Sequence, residues 1–252
     1  MRSDQIKITL CFFAMLFLPV LCFADNTGTA NNYYAKGQYK EAAVGYQKLV
    51  NEGYQSAEVY YNLGNAYYKL GNIAPAILYY EKAHLLSPGD DDINFNIRLA
   101  NSKITDKVDE APEFFISKWW NGFILSFSVN ALGIASILFV LLGSAALILY
   151  FFSFSVSIKK ASFYTSILLF ILGVATILIT FSQTSYFDNH KQAIVFTSTV
   201  NIKSGPNDKL ATLFVLHEGT KINVFETNNG WIKFKLANGN EGWIKLSDIK
   251  EI

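Results

Sequence analysis

Two long windows without a charged side chain constrain this 252-residue chain more than any other feature. The first window lies between Lys118 and Lys159, and the second covers residues 161–187. Within the first window, residues 131–152 are almost wholly apolar, and as a helix they would measure about 33 Å, enough to cross a bilayer. Because neither run has a polar face, burial in a soluble core is a poor alternative. The sequence therefore predicts two membrane-spanning helices, one at 131–152 and the other at 161–185.

The two predicted spans have a direction across the membrane. Residues 153–160 join them, and Lys159 and Lys160 are the only charges in this short loop, so the positive-inside rule places the loop in the cytoplasm. Residues 1–24 have the pattern of a secretory signal peptide, with a basic start, an apolar run and a small final residue. Both features predict an inner-membrane protein of a bacterium whose mature termini face the periplasm. Lipidation of Cys22 is an alternative, although the residue before it is bulkier than a lipidation motif accepts.

Aromatic side chains flank the predicted spans. Trp119, Trp120 and Phe123 precede the first span, within a segment (111–130) that we predict to be an interfacial linker. Aromatic residues in this position anchor helices at the membrane–water boundary. No ionisable residue lies within either span, which argues against a proton relay or an ion path.

A repeat-like pattern occupies the N-terminal third of the chain. Within residues 57–90, the pattern aromatic-x2-Leu-Gly-x2-Tyr, in which x is any residue, comes first. The pattern Ala-x3-aromatic and a closing Pro follow it. The small residues of this pattern would let two antiparallel helices approach closely. The pattern is made of Tyr60, Leu63, Gly64, Tyr67, Ala76, Tyr80, Ala83 and Pro88. It resembles the tetratricopeptide repeat (TPR), a helix pair that buries its apolar face only against neighbouring pairs.

A degraded copy of the same pattern comes before this repeat. Gly71 and Tyr80 have identical counterparts 34 residues earlier, which predicts a first repeat over about residues 28–56. Residues 91–103 begin with acids, which suit a helix N-terminus, and we predict that they form a capping helix. The predicted TPR domain, an α-solenoid, covers residues 25–110.

The TPR resemblance implies a concave face, lined by the first helix of each pair, that takes extended peptides or C-terminal tails. On that helix of the second repeat, Asn62, Asn65 and Lys69 lie one turn apart. Amides pair with a peptide backbone and lysine with a carboxylate, so we predict that these three residues bind a peptide. The alternative is that Asn-Leu-Gly-Asn is simply a frequent TPR sequence.

The C-terminal residues 188–252 have the alternating pattern of a small β-barrel. Six short predicted strands are separated by turns, of which Asn238-Gly239 is the clearest hairpin signal. Gly230-Trp231 and Gly242-Trp243 frame the last hairpin, and the segment resembles a bacterial SH3 (SH3b) domain. That resemblance implies binding of peptidoglycan stem peptides or protein ligands, with Trp231 on the ligand face. The alternative is that both tryptophans are core residues.

Residues that could carry out chemistry are scarce. Cys11 and Cys22 both lie in the predicted signal peptide, so the mature chain would have no thiol. His84, His190 and His217 are accompanied by no nucleophile motif, paired ligand spacing or phosphate-binding loop. We therefore predict no catalytic residue, no metal and no cofactor. The formal net charge of +1, without a basic stripe, argues against nucleic-acid binding.

The order of the parts predicts a multi-domain α + β chain: an N-terminal α-solenoid, a two-helix transmembrane hairpin and a C-terminal SH3-like β-barrel. Together with Phe-Val-Leu-His-Glu-Gly at residues 214–219, this order resembles the BatE family of the Bacteroides aerotolerance (Bat) operon. The resemblance implies protein partners among other Bat membrane proteins and a role in oxygen tolerance and stress. We therefore predict a non-enzymatic protein–protein interaction scaffold. The alternative is a peptidoglycan-binding sensor of the cell wall that acts through the SH3b domain.

Overall fold

The computed structural model describes residues 27–108, 114–189 and 191–252. The predicted signal peptide (1–24), with both cysteines, and His190 lie outside the described residues. Helices of the TPR type come first, two long apolar helices follow, and an antiparallel sheet ends the chain. The predicted fold class is therefore confirmed.

Five helices form the N-terminal region, and each packs against the next along the chain. Their inward faces carry alanine, leucine and tyrosine, including fully buried Ala42, Leu63 and Ala66. Alanine at these positions lets the helix axes approach, and the larger side chains fill the space beside them. The helices are α1 (Gly28–Ala35), α2 (Tyr39–Asn51), α3 (Ala57–Lys69), α4 (Ile73–Leu86) and α5 (Asp91–Asn101).

Two hydrogen bonds follow the period of the sequence repeat. The Tyr46 hydroxyl donates to Asn31 Oδ1 at 2.6 Å, and the Tyr80 hydroxyl donates to Asn65 Oδ1 at 2.8 Å. Asn65 and Tyr80 each lie 34 residues after their counterparts. The same contact therefore joins α1 to α2 and α3 to α4.

The first helix of each pair is followed by a glycine. Gly37 and Gly71 have φ values of 75° and 79°, a left-handed conformation that glycine adopts without strain. This conformation ends α1 and α3 and lets the chain fold back into the second helix of each pair. At the start of α5, the Asp90 carboxylate accepts a hydrogen bond from the Asp92 amide at 3.0 Å, as an N-cap does.

Two long apolar helices follow a short one. α6 covers Phe115–Ile124, α7 covers Val129–Phe152 and α8 covers Val156–Asn189. By length and composition, α7 and α8 could each cross a membrane. Residues 153–155 alone connect them, and the two helices pack along each other. The start of α7 and the end of α8 therefore lie at the same end of the hairpin.

The connection between these helices is shorter than the predicted loop over residues 153–160. α8 begins at Val156, so Lys159 and Lys160 lie in its first turns. The Lys159 amide donates to the Ser155 carbonyl at 3.0 Å, which continues the helical pattern to the end of the helix. Helix formation gives these backbone groups hydrogen-bond partners within the chain, which an open loop would lack.

Small side chains bring α7 and α8 into close contact. A Cβ on Gly143 would lie 3.4 Å from the Phe170 ring, and one on Gly173 would lie 3.4 Å from Val140. The Ser166 hydroxyl donates to the Gly143 carbonyl at 3.0 Å across the same interface. Close approach of this kind, with a hydrogen bond across it, holds helices together in membranes.

The C-terminal residues form one antiparallel sheet of seven strands around an apolar core. The strands are β1 (Gln192–Val195), β2 (Thr199–Lys203), β3 (Thr212–His217), β4 (Lys221–Asn228), β5 (Trp231–Lys235), β6 (Glu241–Lys245) and β7 (Ile249–Glu251). Their order in the sheet is β3-β2-β6-β5-β4-β1-β7. β7, which follows the six predicted strands, pairs with β1. The core includes Ile202, Ile222, Ile232, Phe234 and Ile244.

Candidate binding surfaces

The three residues predicted to bind a peptide all lie on α3. Asn62 and Asn65 are half-buried and Lys69 is exposed. Asn65 Oδ1 accepts hydrogen bonds from the Tyr80 hydroxyl at 2.8 Å and from Asn96 Nδ2 at 3.0 Å. Asn65 therefore links α3 to α4 and α5, and its carbonyl oxygen is already used within the fold.

Tyrosines surround Asn65: Tyr80 is buried beside it, while Tyr61 and Tyr68 are half-buried at the surface of the helical region. The rings of Tyr61 and Tyr80 lie 6.0 Å apart. Burial, and then the nearby phenols of Tyr61, Tyr34 and Tyr68, raise the pKa of Tyr80. Tyrosine and asparagine side chains can stack on an extended peptide and hydrogen-bond to its backbone without a charge match.

A second candidate surface is a cleft between α2 and the turn that joins α3 to α4. Its volume is about 610 Å³, within the usual range of ligand pockets. Lys40, Val44 and Lys48 line it at four-residue intervals along α2. Gln47, which also lines the cleft, accepts a hydrogen bond from the Tyr79 hydroxyl at 2.5 Å. We did not predict this cleft, although an exposed valine between two lysines on one helix face is a signal for it.

Trp231 lies on the outer face of the barrel, half-buried at the start of β5. Lys245 is directly opposite it on β6, with Nζ 5.4 Å from the centre of the indole ring. The same Nζ lies 2.8 Å from an Asp208 carboxylate oxygen. The tryptophan face is thus bordered by one cation and one anion, a combination that suits a zwitterionic peptide.

Trp243 shares this outer face. Its partner across the hairpin is Lys233, and the inward positions beside the two tryptophans are taken by Ile232 and Ile244. Trp243 is half-buried, so neither tryptophan belongs to the buried barrel core. Alternation along β5 and β6 explains this, because successive side chains point to opposite faces of a strand.

The barrel packs directly on the helical region. Ile194 of β1 is fully buried and belongs to the same apolar cluster as Ile77 and Ala100. At the turn between β3 and β4, a Cβ on Gly219 would lie 2.5 Å from Ile104 Cγ2, so the backbone of the turn touches that side chain. We call this contact the seam, and it makes one packed unit of the two domains.

Asp106, in the segment after α5, holds the β3–β4 turn in the seam. Its Oδ2 accepts from the His217 amide at 2.6 Å and from the Thr220 hydroxyl at 2.9 Å, while His217 Nδ1 lies 2.8 Å from Oδ1. Burial raises the pKa of Asp106, but the hydrogen bonds from His217 and Thr220 and the electrostatic interaction with His217 hold it below its ordinary value. The carboxylate is therefore ionised at neutral pH and its hydrogen bonds are charge-assisted.

Glu81 of α4 and Lys221 of β4 form an ion pair in the same seam. Lys221 Nζ lies 2.9 Å from Glu81 Oε1, and the Glu81 side chain is only 4% exposed. Burial lowers the pKa of nearby His84, which keeps its ring neutral at pH 7. The seam therefore joins the helical region to the barrel by an ion pair as well as by hydrogen bonds and apolar packing.

In the part of the chain that the structure describes, no group of three His, Cys, Asp or Glu side chains could hold a metal ion.

Helical repeats packed on a small barrel with an aromatic outer face are typical of a protein built from binding domains. Residues 30–71 and 57–90 match families described as TPR repeat and tetratricopeptide repeat, and residues 198–250 match the bacterial SH3 domain family. The chain therefore carries TPR repeats and a bacterial SH3 domain. Both are typically non-catalytic domains, and they imply protein or peptide partners.

Two solved structures each match about a quarter of the chain. The C-terminal SH3 domain of myosin IB from Entamoeba histolytica is 30% identical over 25% of this chain and 95% of that chain, with a TM-score of 0.19. An NlpC/P60 family protein from Bacillus cereus is 17% identical over 28% of this chain and 23% of that chain, with a TM-score of 0.22. No curated protein matches the chain.

Proposed function

We propose that this protein is a non-enzymatic scaffold of the Bat aerotolerance system, anchored in the inner membrane with its TPR and SH3b domains in the periplasm. The observation that carries the proposal is the seam, in which Asp106 and Glu81 fix the barrel on the helical region. When two binding surfaces are held in one unit, a partner bound to one of them meets the other at a high effective concentration. That is the property a scaffold requires.

Both domains connect to the same end of the α7–α8 hairpin. The Gln183 side-chain amide, near the end of α8, donates to the Phe127 carbonyl just before α7 at 2.9 Å. Lys159 and Lys160 lie at the opposite end, which the positive-inside rule assigns to the cytoplasm. This arrangement supports a periplasmic location for both domains and for both mature termini.

The surface around α3 supports a peptide as the ligand of the TPR domain. Asn62 and Lys69 flank Asn65 on this helix, and the half-buried Tyr61 lies on the same helix with its ring 6.0 Å from that of Tyr80. Lys69 would pair with a carboxylate, while the amides and phenols would contact the backbone of an extended segment. We propose that exposed tails of other Bat membrane proteins supply that segment.

Joint replacement of Asn62 and Lys69 by alanine should reduce recovery of Bat-type partners about tenfold, because hydrogen bonds to charged groups contribute about 1.5 kcal/mol. Crosslinking of the full-length protein in cells, followed by quantitative mass spectrometry, would measure the recovery. Lys103→Ala, which removes an exposed lysine after α5, is the matched control and should change nothing. Equal recovery with the double variant and the wild type would remove the α3 surface from the mechanism.

The alternative function, a sensor of the cell wall, is favoured by the outer face of the barrel. Trp231, Lys245 and Asp208 form a compact aromatic and charged site there. The carboxylates and amines of a peptidoglycan stem peptide would match the two charges, and the indole would cover an apolar part of the ligand. In this function the SH3b domain would be the working part and the TPR domain would relay binding.

Trp231→Ala should weaken binding of a soluble stem peptide about thirtyfold, because loss of a central tryptophan from a binding site costs about 2 kcal/mol. Isothermal titration of the full-length protein in detergent would measure the affinity. Phe225→Ala removes an exposed aromatic side chain of β4 outside this site and should leave the affinity unchanged. If the wild type shows no binding heat, the sensor function is rejected and the scaffold remains.

A further inference from the structure

The short helix α6 has a strongly divided surface. Aromatic and aliphatic residues recur every four positions in two adjacent stripes, and small or polar residues occupy the opposite side. The first stripe is Phe115, Trp119 and Phe123, continued by Phe127 after the helix, and the second is Ile116, Trp120 and Ile124. The opposite side carries Ser117, Asn121 and Gly122. This spacing places all the large apolar side chains on one face of the helix.

Most of that face is uncovered by the described part of the chain. Phe115 and Trp119 are 73% and 67% exposed, whereas Ile124 is 1% exposed. The C-terminal end of the helix therefore packs against the rest of the protein, whereas the aromatic side chains of its first two turns are exposed. The rings support one another, because Trp119 stacks on Phe123 at 6.2 Å and Phe123 meets Phe127 edge-on at 5.8 Å. A contiguous apolar patch of this kind on a protein surface marks an interaction site.

The position of α6 in the fold identifies what covers this patch. Residues 125–128 connect α6 directly to α7, a helix of membrane-spanning length. The bond from Gln183 to the Phe127 carbonyl ties the same turn to the far end of α8. The stripe thus lies where the apolar spans end. Residues 114–128 contain one charge, at Lys118, which gives a protein partner little to recognise but suits a lipid headgroup layer.

We propose that α6 lies in the outer surface of the bilayer, with the Trp119 stripe inserted among the lipid headgroups and the first acyl carbons. Tryptophan prefers this depth because its ring is apolar while its N–H is a hydrogen-bond donor. A helix of this length would lie along roughly 15 Å of the surface. The inference rests on the proposed membrane hairpin and adds a third contact with the membrane.

This contact would set the height of the TPR domain above the membrane. Gly89, in the loop that closes the second repeat, touches the backbone of Ser126 in the turn after α6, and a Cβ there would overlap the Ser126 carbonyl. The helical region therefore rests on the turn that α6 and α7 share. Insertion of the stripe would hold the α3 surface at a fixed distance from the lipid, within reach of short tails of neighbouring membrane proteins.

Depth-dependent fluorescence quenching tests the inference on the full-length protein in vesicles of phosphatidylcholine and phosphatidylglycerol. With Trp231 and Trp243 replaced by phenylalanine, emission comes from Trp119 and Trp120. Phospholipids brominated near the headgroup end of the acyl chain should quench roughly half of this emission, and those brominated near the chain end clearly less. In the matched control, which keeps Trp231 and Trp243 and replaces Trp119 and Trp120, bromine should have little effect.

Two results would overturn the inference. Quenching of Trp119 and Trp120 by aqueous iodide but not by bromine would show that the stripe faces water. Shielding from both quenchers would show that protein covers it. Washing the same vesicles at alkaline pH, which removes proteins that do not span the bilayer, shows separately whether the proposed α7–α8 hairpin anchors the protein. A protein that stays in the vesicles without bromine quenching contradicts only the α6 inference, whereas an extracted protein contradicts the hairpin as well.

Discussion

Replacement of Gly64 by valine is expected to destabilise the second helical pair strongly. A Cβ at this position would lie 2.6 and 2.7 Å from two carbons of the Tyr80 ring, closer than side-chain carbons approach in folded proteins. Tyr80 cannot turn aside, because its side chain is 1% exposed and its hydroxyl is bonded to Asn65. Overpacking of this kind costs about 3 kcal/mol, which would speed hydrogen exchange of the α3 and α4 amides about a hundredfold.

Gly122→Val is the matched control for this prediction. Gly122 also lies inside a helix, but no atom is close enough to touch a Cβ there. Valine and glycine differ little in helix propensity, so the difference between the two variants isolates the contact with Tyr80. Hydrogen exchange of the full-length protein in detergent, followed by mass spectrometry, would measure both. Similar exchange of α3 and α4 in the two variants would show that the close approach of Gly64 to Tyr80 is unimportant.

The repeat period could be predicted because each contact that it reflects joins residues close together in the sequence, and because the contact occurs twice. Asn31 and Tyr46 are 15 residues apart, as are Asn65 and Tyr80. Selection of the same residue types for the same hydrogen bond leaves a 34-residue period in the chain. The barrel was predictable for a similar reason, since the Asn238-Gly239 turn and the alternation beside it are local features.

Asn65 shows where the same reasoning ends. Its place on α3 predicts a groove residue, and it remains part of the proposed peptide surface. However, its carbonyl oxygen also binds Asn96 of α5, which lies 31 residues later and outside the repeat pattern. A sequence motif gives the position of a side chain on a helix but not the partners that a neighbouring helix brings to it. For this reason the test of the surface uses Asn62 and Lys69.

The seam between the domains could not be predicted from periodicity. Asp106 and His217 are 111 residues apart, and Glu81 and Lys221 are 140 residues apart. One local signal was present in the first strand of the barrel. Residues 193–195 are apolar without alternation, and all three are buried. Such a run indicates a strand that is covered on both faces, and here the helical region covers the outer face at Ile194.

Replacement of Lys221 by methionine is expected to open the seam. The variant keeps the length of the side chain but leaves the Glu81 carboxylate, which is 4% exposed, without its cation. An unpaired charge in such a site costs about 3 kcal/mol, so hydrogen exchange of β1 and of the β3–β4 turn should accelerate about a hundredfold. Separation of the domains would also lower the effective concentration of the two binding surfaces for a shared partner.

Two comparisons make this prediction specific to an ion pair whose carboxylate is buried, since the Lys221 side chain itself is 39% exposed. Lys235 lies 3.3 Å from Glu241 in a pair whose side chains are 42% and 49% exposed, so Lys235→Met should cost only about 0.5 kcal/mol. Adding Glu81→Gln to Lys221→Met should restore most of the protection, because the double variant no longer buries a charge. The ion pair does not hold the domains together if the amides of β1 and of the β3–β4 turn exchange at similar rates in Lys221→Met and Lys235→Met. The same conclusion follows if adding Glu81→Gln to Lys221→Met restores no protection. The seam would then depend on Asp106 and on the apolar contacts of Ile194 and Gly219. Substitutions at those residues would have to test whether the two domains are held together.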